Sequence, residues 1–254
     1  MVRAKKYLGQ HFLRDEVIAQ KIVEALEGNK GAVLEIGPGT GVLSKYLFET
    51  VEQLFLVDID TESILFLLKK YPQYSDQIIE ADYLKSDLSF LPDQYTVIGN
   101  FPYNISSQIF FKIIEDRYHV KEVVCMLQKE VAVRLCSPPG NKQYGILSVL
   151  LQAFFDLEYL FDVRPEVFDP PPKVFSGVIR LIRKANIDID CDFTVFKRLV
   201  KQGFQNRRKT LRNALKPLSL PPQLSDLEVL NRRAETLSYQ EFISIAKLIE
   251  QWKS

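Results

Sequence analysis

The sequence predicts an α/β fold in which a mostly parallel sheet is followed by a small, all-helical domain. Short apolar runs alternate with amphipathic stretches of helical spacing from residue 32 to about residue 127. A glycine-rich turn follows the first apolar run, and only helical spacing is found after residue 193. These observations divide the chain into an expected domain at residues 1–184 and a helical domain at residues 185–254.

Strands and helices are expected to alternate through the first domain. The runs with the composition of buried strands are residues 32–37, 53–59, 77–81, 95–100 and 122–127. Helices are predicted between them at residues 41–49, 61–71 and 106–117. Because parallel strands are joined by crossover helices, this alternation predicts helices on both faces of the sheet. Residues 144–155 predict another helix, and residues 157–183 predict two strands joined by a rigid, proline-rich turn.

The second domain begins after a short polar segment. Four stretches have helical spacing, at residues 193–206, 207–216, 224–231 and 237–253. Ser238 and Glu241 have the spacing of a capping box at the start of the last one.

Composition limits the possible functions. The chain has 254 residues, 46% of them hydrophobic, which is enough for a large α/β domain with a small companion. The formal net charge is +1, so affinity for a polyanion requires a local basic region. Three cysteines without a CxxC pair argue against a disulfide framework or a metal site and indicate a reducing compartment. No signal peptide or membrane-spanning stretch is recognised. We therefore expect a cytoplasmic protein that uses neither metal nor membrane.

The first strand ends in the sequence EIGPGTG, which places Gly37, Gly39 and Gly41 in the strand-to-helix turn. Glycines there let the backbone approach a ligand, toward which the next helix directs free N–H groups. The turn lacks the last glycine of a dinucleotide fingerprint, because Val42 stands at that position, and it has no P-loop lysine. The pattern suits a nucleoside ligand without a pyrophosphate, and the alternative is a turn that binds nothing.

Two further strands end in acidic residues. Asp58 follows the glycine turn by about twenty residues, where a carboxylate can accept hydrogen bonds from both ribose hydroxyls. Asp82 is predicted at the same carboxyl edge of the sheet and is suited to an adenine amine. Asp60 is expected to point elsewhere. Each acid alone is more often a solvated loop residue, but together with the glycine turn they favour an adenosine-type cofactor.

These features, in this order, resemble class I S-adenosylmethionine-dependent methyltransferases, which have a Rossmann-like sheet. The chain more closely resembles the rRNA adenine N6,N6-dimethyltransferase family, in its bacterial small-subunit branch. The motifs that carry this resemblance cover nearly the whole chain and are YLGQHFL, NFPYNIS, LQKEVAVRL, YGILSVLLQ, VFDPPPKVFS and FQNRRKTLRNAL. NFPYNIS, VFDPPPKVFS and FQNRRKTLRNAL are the most specific of these motifs.

The resemblance implies S-adenosyl-L-methionine as the cofactor. It implies that the segment after Gly9 folds over this cofactor, with His11 and Leu13 as contacts. The family usually has asparagine where this chain has His11, whose imidazole is bulkier and titratable. The other expected cofactor-pocket residues are Gly37, Gly39, Asp58, Asp82 and Asn100.

The NFPY motif explains how an adenine amine could react. Its N6 lone pair is delocalised, so acceptors that favour a pyramidal nitrogen assist the transfer. The Asn100 side-chain oxygen and the Pro102 carbonyl are suited to accept from N6–H, and Tyr103 offers a stacking face. Phe101 would form the pocket wall. Phe168 is a candidate second stacking surface by resemblance, whereas its sequence context equally allows core packing.

Residues 197–216 contain eight basic residues and no acid. This excess favours phosphate contacts over the alternative of a solvated helix face. The predicted RNA-binding residues are Arg207, Arg208, Lys209 and Arg212. A smaller basic patch at Arg3, Lys5 and Lys6 is expected to order on RNA.

Together these features predict a monomeric enzyme that dimethylates two adjacent adenosines near the 3′ end of small-subunit rRNA. Its partner would be this rRNA within a pre-ribosomal particle. One alternative is the related branch that methylates a large-subunit adenosine and confers antibiotic resistance, which the NRRKTLRN segment disfavours. Another is a ribosome-assembly factor that acts mainly by binding.

Overall fold

A computed structural model describes residues 2–27, 31–218, 224 and 227–253. Within these ranges seven strands form one sheet in the order β4-β3-β2-β5-β6-β9-β7, and β1 pairs with β8. The strands are β1 (Phe12–Leu13), β2 (Ala32–Ile36), β3 (Gln53–Asp58), β4 (Ile78–Glu80), β5 (Tyr95–Asn100), β6 (Val120–Gln128), β7 (Phe155–Val163), β8 (Phe168–Asp169) and β9 (Ser176–Arg183).

The sheet is mostly parallel, as predicted. Strands β4, β3, β2, β5 and β6 run parallel to their neighbours, whereas β9 is antiparallel to β6. The register brings Asp58 opposite Glu80 and Asn100 opposite Met126. The carboxyl ends of β3 and β5 therefore lie at one edge of the sheet, which is where open α/β sheets bind ligands.

The described α-helices are α1 (Glu16–Glu24), α2 (Ser44–Thr50), α3 (Thr61–Lys70), α4 (Ser106–Glu115), α5 (Lys129–Cys136), α6 (Ile146–Gln152), α7 (Phe193–Gln205), α8 (Leu211–Ala214) and α9 (Tyr239–Lys253). Aspartates begin three of them. The Asp15, Asp60 and Asp192 side chains accept from backbone N–H groups in the first turns of α1, α3 and α7. These caps satisfy donors that a helix start leaves unpaired.

The core explains why these elements form. Val33, Leu34, Val97 and Ile98 are buried in β2 and β5, which have a neighbouring strand on both sides. Helix α4 buries Ile109, Phe110, Ile113 and Ile114, which recur on one face of the helix. Burying such side chains contributes roughly 1.5–3 kcal/mol each.

The chain forms two compact units. The first unit comprises Met1–Ala132 and Leu157–Arg183, and the second comprises Val133–Asp156 and Lys184–Ser254. The sequence places residues 133–156 in the first domain, whereas the structure groups them with the helical part. Within the second unit the Gly140 N–H donates to the Glu235 carbonyl at 2.7 Å, which ties this segment to the C-terminal residues. The predicted domain limits stay a prediction, because compactness does not test independent folding.

Several helix limits differ from the predicted ones. The helix expected at residues 144–155 ends at Gln152, and Phe155 begins β7. The helix expected at 207–216 is reduced to α8, because Asn206 and Thr210 leave the helical backbone region. Of the stretch 224–231, residues 225–226 lie outside the described ranges and Glu228–Asn231 is a 3-10 turn. The capping box of α9 is confirmed by reciprocal hydrogen bonds between Ser238 and Glu241 of 2.8 and 3.2 Å.

Candidate active site

A cavity of about 370 Å³ lies at the carboxyl edge of the parallel strands in the first unit. This volume is within the range of small-molecule sites. Its walls come from the N-terminal segment, the glycine turn, and the segments that follow β3, β4 and β5. The polar and glycine residues of the lining include Gly9, Gln10, His11, Gly37, Gly39, Asp58, Asp82, Lys85, Asn100, Tyr103, Asn104 and Gln108.

The three glycines of the turn have two structural roles. Gly37 has a φ of +67°, and a Cβ there would meet only the Pro102 ring, at 3.9 Å. A Cβ on Gly39 would lie 2.7 Å from the Phe12 ring, and one on Gly41 would lie 2.9 Å from the Leu67 side chain. Gly37 therefore borders open space that a ligand can use, whereas Gly39 and Gly41 permit close packing around the turn.

Asp58 joins the glycine turn to the start of α3. Its carboxylate accepts from the Gly39 N–H at 3.2 Å and from the Asp60 N–H at 2.9 Å. Burial raises its pKa to about 6, although the backbone hydrogen bonds oppose that rise. Each oxygen retains a lone pair, so the ionised group can still accept from a pair of hydroxyls.

Asp60, which we expect to point away from the ligand, anchors the N-terminal segment. Its buried carboxylate pairs with the Lys5 ammonium and accepts from the Gln10 amide at 3.1 Å and the Ser63 hydroxyl at 2.9 Å. The Lys5 N–H in turn donates to the Gln10 side-chain oxygen at 2.8 Å. Lys5 is therefore engaged within the first unit, in contrast to the expected RNA patch at the N-terminus.

Asp82 also lines the cavity, at the loop that follows β4. Its carboxylate accepts from the Leu84 N–H at 3.0 Å and lies 3.3 Å from the Lys85 ammonium. These local contacts fix the side chain beside the cavity without consuming all of its acceptor positions.

Asn100 has a defined amide orientation. Its Nδ2 donates to the His11 carbonyl at 2.8 Å, so its Oδ1 is the atom left to accept from a ligand. The Pro102 carbonyl accepts from the Ile105 N–H at 3.2 Å and keeps a second lone pair. The sequence motif therefore places two acceptors together, and the N-terminal segment orients one of them.

Tyr103 is held from two sides. Its hydroxyl lies 2.5 Å from the Ser176 hydroxyl, and its ring stacks on His11 with centroids 5.4 Å apart. His11 Nδ1 lies 2.7 Å from the Pro170 carbonyl, so that nitrogen carries a proton and donates. Burial raises the pKa of the Tyr103 phenol above its ordinary value. Tyr103 is thus a fixed aromatic wall beside Asn100.

Residues 1–251 match the family model described as Ribosomal RNA adenine dimethylase. The chain belongs to this family. It is similar to a protein of Cytophaga hutchinsonii named Ribosomal RNA small subunit methyltransferase A, with 53% identity over 252 residues and 98% of both chains covered. A protein of the same name from Flavobacterium johnsoniae is 50% identical over 253 residues, which cover 98% of this chain and 97% of that one.

Solved structures agree on the fold. A dimethyladenosine transferase from Plasmodium falciparum has a TM-score of 0.82 and 27% identity, with 95% of this chain and 98% of that chain covered. The 23S rRNA methyltransferase ErmE is 24% identical with a TM-score of 0.68, covering 92% and 99% of the two chains, and supports the fold alone. The predicted Rossmann-like methyltransferase fold is confirmed.

Family membership confirms the class of enzyme: the chain is an rRNA adenine methyltransferase. A methyltransferase of this fold implies a methyl donor of the S-adenosylmethionine type. None of the described helices is long and apolar enough to cross a membrane. The described residues contain no group of three or more His, Cys, Asp or Glu side chains arranged to hold a metal ion.

Two residues assigned by resemblance to this family lie in the core. Leu13 and Phe168 face each other in the β1–β8 pair and are 2% and 3% exposed. Neither lines the cavity. This arrangement fits the core-packing alternative for Phe168. The stacking role of Phe168 and the cofactor contact of Leu13 stay predictions.

The predicted RNA-binding cluster lies in the second unit. The Arg207 guanidinium donates to the carbonyls of Lys142 and Tyr144 at 2.7 and 2.8 Å and lies 3.4 Å from Glu235. Arg212 donates to the Asn231 side-chain oxygen at 3.1 and 3.2 Å. Arg207 therefore has a structural role that the run of charges did not reveal.

The remaining two members of the cluster are open to solvent. Arg208 and Lys209 are exposed, and no partner for either side chain is found within the described ranges. Their charges are therefore available to a polyanion, which keeps them as the strongest RNA-binding candidates of the cluster.

Sequence reasoning missed Glu35 and Gln10. Glu35 is buried in β2, its carboxyl accepts from the Ser44 hydroxyl at 2.6 Å, and burial raises its pKa to about 8. A charged residue inside the apolar run AVLEI was the available signal. No local signal could identify Gln10, because its partner Asp60 is fifty residues away.

Proposed function

We propose that this enzyme transfers methyl groups from S-adenosyl-L-methionine to N6 of two adjacent adenosines near the 3′ end of small-subunit rRNA. The product is N6,N6-dimethyladenosine, and the reaction takes place during ribosome assembly. The observation that carries the proposal is the orientation of the Asn100 amide, whose Oδ1 has no partner within the described ranges, in a residue that lines the same cavity as Gly37.

The cavity residues fit the methyl donor. Gly37 leaves open space where a Cβ would otherwise project, and Asp58 is a buried carboxyl with free lone pairs for ribose hydroxyls. Asp82 can accept from the adenine amine of the cofactor. The bound sulfonium supplies an activated methyl group. The cavity residues would hold the donor and the target base together, and alignment of two reactants can contribute about 7–11 kcal/mol in favourable cases.

The NFPY residues act on the target base. Asn100 Oδ1 and the Pro102 carbonyl accept from the two N6–H groups, which favours a pyramidal nitrogen whose lone pair faces the methyl donor. Tyr103 supports the ring of the base. Each transfer would break the sulfonium S–CH3 bond and leave a positively charged, methylated N6 that releases one proton to solvent. One N6–H therefore remains after the first transfer, so one acceptor is enough for the second. The base must leave its stack to enter the cavity, which favours a loop or flipped nucleotide.

The second unit supplies contacts to the RNA backbone. Arg208 and Lys209 are exposed, and their contacts with phosphates would position the RNA without reading its sequence. The partner is small-subunit rRNA within a pre-ribosomal particle, and the enzyme acts as a cytoplasmic monomer.

The test is incubation of the protein with isotopically labelled methyl donor and immature small or large ribosomal subunits, followed by mapping of the labelled nucleotides. We expect label at two adjacent adenosines near the 3′ end of small-subunit rRNA. Label in large-subunit rRNA would instead support the antibiotic-resistance branch. Tight binding of small subunits without methylation would support an assembly factor.

A further inference from the structure

Lys173, Val174 and Phe175 form a continuous exposed segment between two buried residues, Pro172 and Ser176. We call it the Lys173–Phe175 surface. Val174 and Phe175 are each 45% exposed. Single exposed apolar side chains are common, but an adjacent pair beside an exposed lysine forms a small patch of mixed chemistry.

This surface is fixed in place. The Phe175 carbonyl accepts from the Lys129 N–H at 2.9 Å, and Ser176 begins β9 opposite Gln128. The Lys129 ammonium lies 5.8 Å from the centroid of the Phe175 ring, in a cation–π contact. The backbone at Phe175 and Ser176 is therefore held while the side chains of the surface face solvent, so little backbone entropy is lost there when a partner binds.

The surface lies directly beside the candidate active site. Ser176, the next residue, has its hydroxyl 2.5 Å from that of Tyr103. Consecutive Cα atoms are about 3.8 Å apart, so Val174 and Phe175 lie within one or two residues of the group that holds Tyr103. An RNA strand that places a nucleotide on Tyr103 would need to span only this backbone separation to reach the surface.

The local charge suits a phosphate. Lys129 lies 2.5 Å from Asp162, and Arg14 lies 2.7 Å from Asp169, so both acids are neutralised. Lys173 is exposed, and no partner for its side chain is found among the described residues. An aromatic face next to an unpaired cation is the combination that binds single-stranded nucleic acid.

We propose that the Lys173–Phe175 surface binds the RNA strand that carries the target adenosine. Phe175 stacks on a nucleotide that flanks this adenosine, and Lys173 contacts a neighbouring phosphate. The proposal rests on the proposed function for the identity of the RNA. Two apolar side chains are too few for a stable protein interface, which favours RNA over a protein partner.

The first test compares Phe175→Ala, Phe175→Trp and the control Tyr118→Ala in the full-length protein. Tyr118 is an exposed aromatic residue of the same unit, at 49% exposure. We expect Phe175→Ala to raise the KM for immature small subunits about tenfold, as loss of one stacked base predicts. Phe175→Trp and Tyr118→Ala should retain the wild-type KM. All three should keep the wild-type affinity for S-adenosylmethionine and the wild-type melting temperature. An unchanged KM in Phe175→Ala would overturn the proposal.

The second test uses a photoreactive benzophenone amino acid at position 175 and illumination in the presence of immature small subunits. We expect a cross-link to rRNA close to the methylated adenosines. A cross-link to a ribosomal protein, or none, would overturn the proposal. This readout does not require methyl transfer, so a wild-type protein without activity on small subunits would refute the proposed function while the cross-link still tests the surface.

Discussion

The cavity of the first unit and the basic cluster of the second use polar side chains in different ways. In the cavity, Asn100 and Asp58 are each fixed by backbone groups and keep one or more acceptor positions open. In the cluster, the Arg207 guanidinium donates to two backbone carbonyls of its own unit, whereas Arg208 and Lys209 are exposed to solvent. Methyl transfer depends on direction and therefore on fixed atoms. Phosphate attraction depends mainly on charge and tolerates mobile side chains.

The largest expected effect comes from removing the oriented acceptor. Asn100→Ala should lower the single-turnover rate about 10²–10³-fold, as loss of one transition-state contact predicts, while small-subunit binding persists. Asn104→Ala is the matched control, because Asn104 lines the same cavity but its amide donates, among the described residues, to the Tyr7 carbonyl alone, at 3.4 Å. A near-normal rate in Asn100→Ala would remove Asn100 from the catalytic role.

The next prediction concerns Gly37 and distinguishes the effect of backbone strain from the effect of filling the space that a ligand would occupy. Gly37→Val should abolish measurable cofactor binding in calorimetry, because the new side chain fills open space in the cavity. Gly140→Val is the control, because Gly140 also has a positive φ, +87°, and has no atom within 4 Å of a built Cβ. Both variants should lose about 1–2 kcal/mol of stability. If folded Gly37→Val binds the cofactor normally, the glycine turn does not border the cofactor.

The basic cluster should divide into two classes of residue. The double variant Arg208→Ala with Lys209→Ala should make the slope of log K for RNA binding against log salt concentration shallower, by about 0.7–0.9 per lost phosphate contact. Its stability should be unchanged. Arg207→Ala should instead lower the free energy of unfolding by about 1–3 kcal/mol, because two carbonyls lose their donor. Filter binding across a salt series and chemical denaturation measure these effects. If Arg207→Ala changes the salt slope and the double variant does not, Arg207 contacts the RNA and Arg208 and Lys209 do not.

The smallest effect is a pH dependence of cofactor binding. Burial raises the pKa of Asp58 to about 6, and only the ionised carboxyl accepts from both ribose hydroxyls. Cofactor affinity should therefore fall about tenfold between pH 7.5 and pH 5, where about a tenth of the group is ionised. Calorimetry at several pH values measures this change, and Asp58→Asn should bind weakly with no such dependence.

The same group has a predictable effect on stability. Because the pKa of Asp58 is higher in the folded state than the ordinary value of 3.8, the folded protein binds more protons between these values. Its contribution to the free energy of unfolding should decrease as the pH rises from about 4 to 6 and stay constant above. A contribution that increases over this range, measured against Asp58→Asn, would contradict the burial of the carboxyl.

Much of the fold could be predicted from local patterns. The alternation of apolar runs identifies the parallel strands, and the positions of Gly37, Asp58, Asp82 and Asn100 after strands identify the cavity edge. Helix limits were less predictable. Residues 207–216 have helical composition, but the backbone of Thr210 is extended. The helix therefore begins only after this residue and is limited to the short α8.

The parts that could not be predicted depend on contacts distant in sequence. The Asn100 amide is oriented by the His11 carbonyl, eighty-nine residues away, and Tyr103 by Ser176, seventy-three residues away. A local pattern shows that an asparagine is present but not which of its two amide atoms faces the ligand. Arg207 illustrates the same limit, because a run of positive charge does not distinguish exposed cations from those bound to carbonyls.

The proposed function requires that this cavity support two methyl transfers to one nitrogen. Phe101 is 1% exposed and packs edge-on against Phe110. Its ring therefore contributes to the core as well as to the cavity wall. Mass spectrometry of nucleosides from small-subunit rRNA, fully reacted at saturating donor and enzyme, tests this claim directly. We expect N6,N6-dimethyladenosine as the main product, and monomethyladenosine alone would contradict two transfers at one nitrogen.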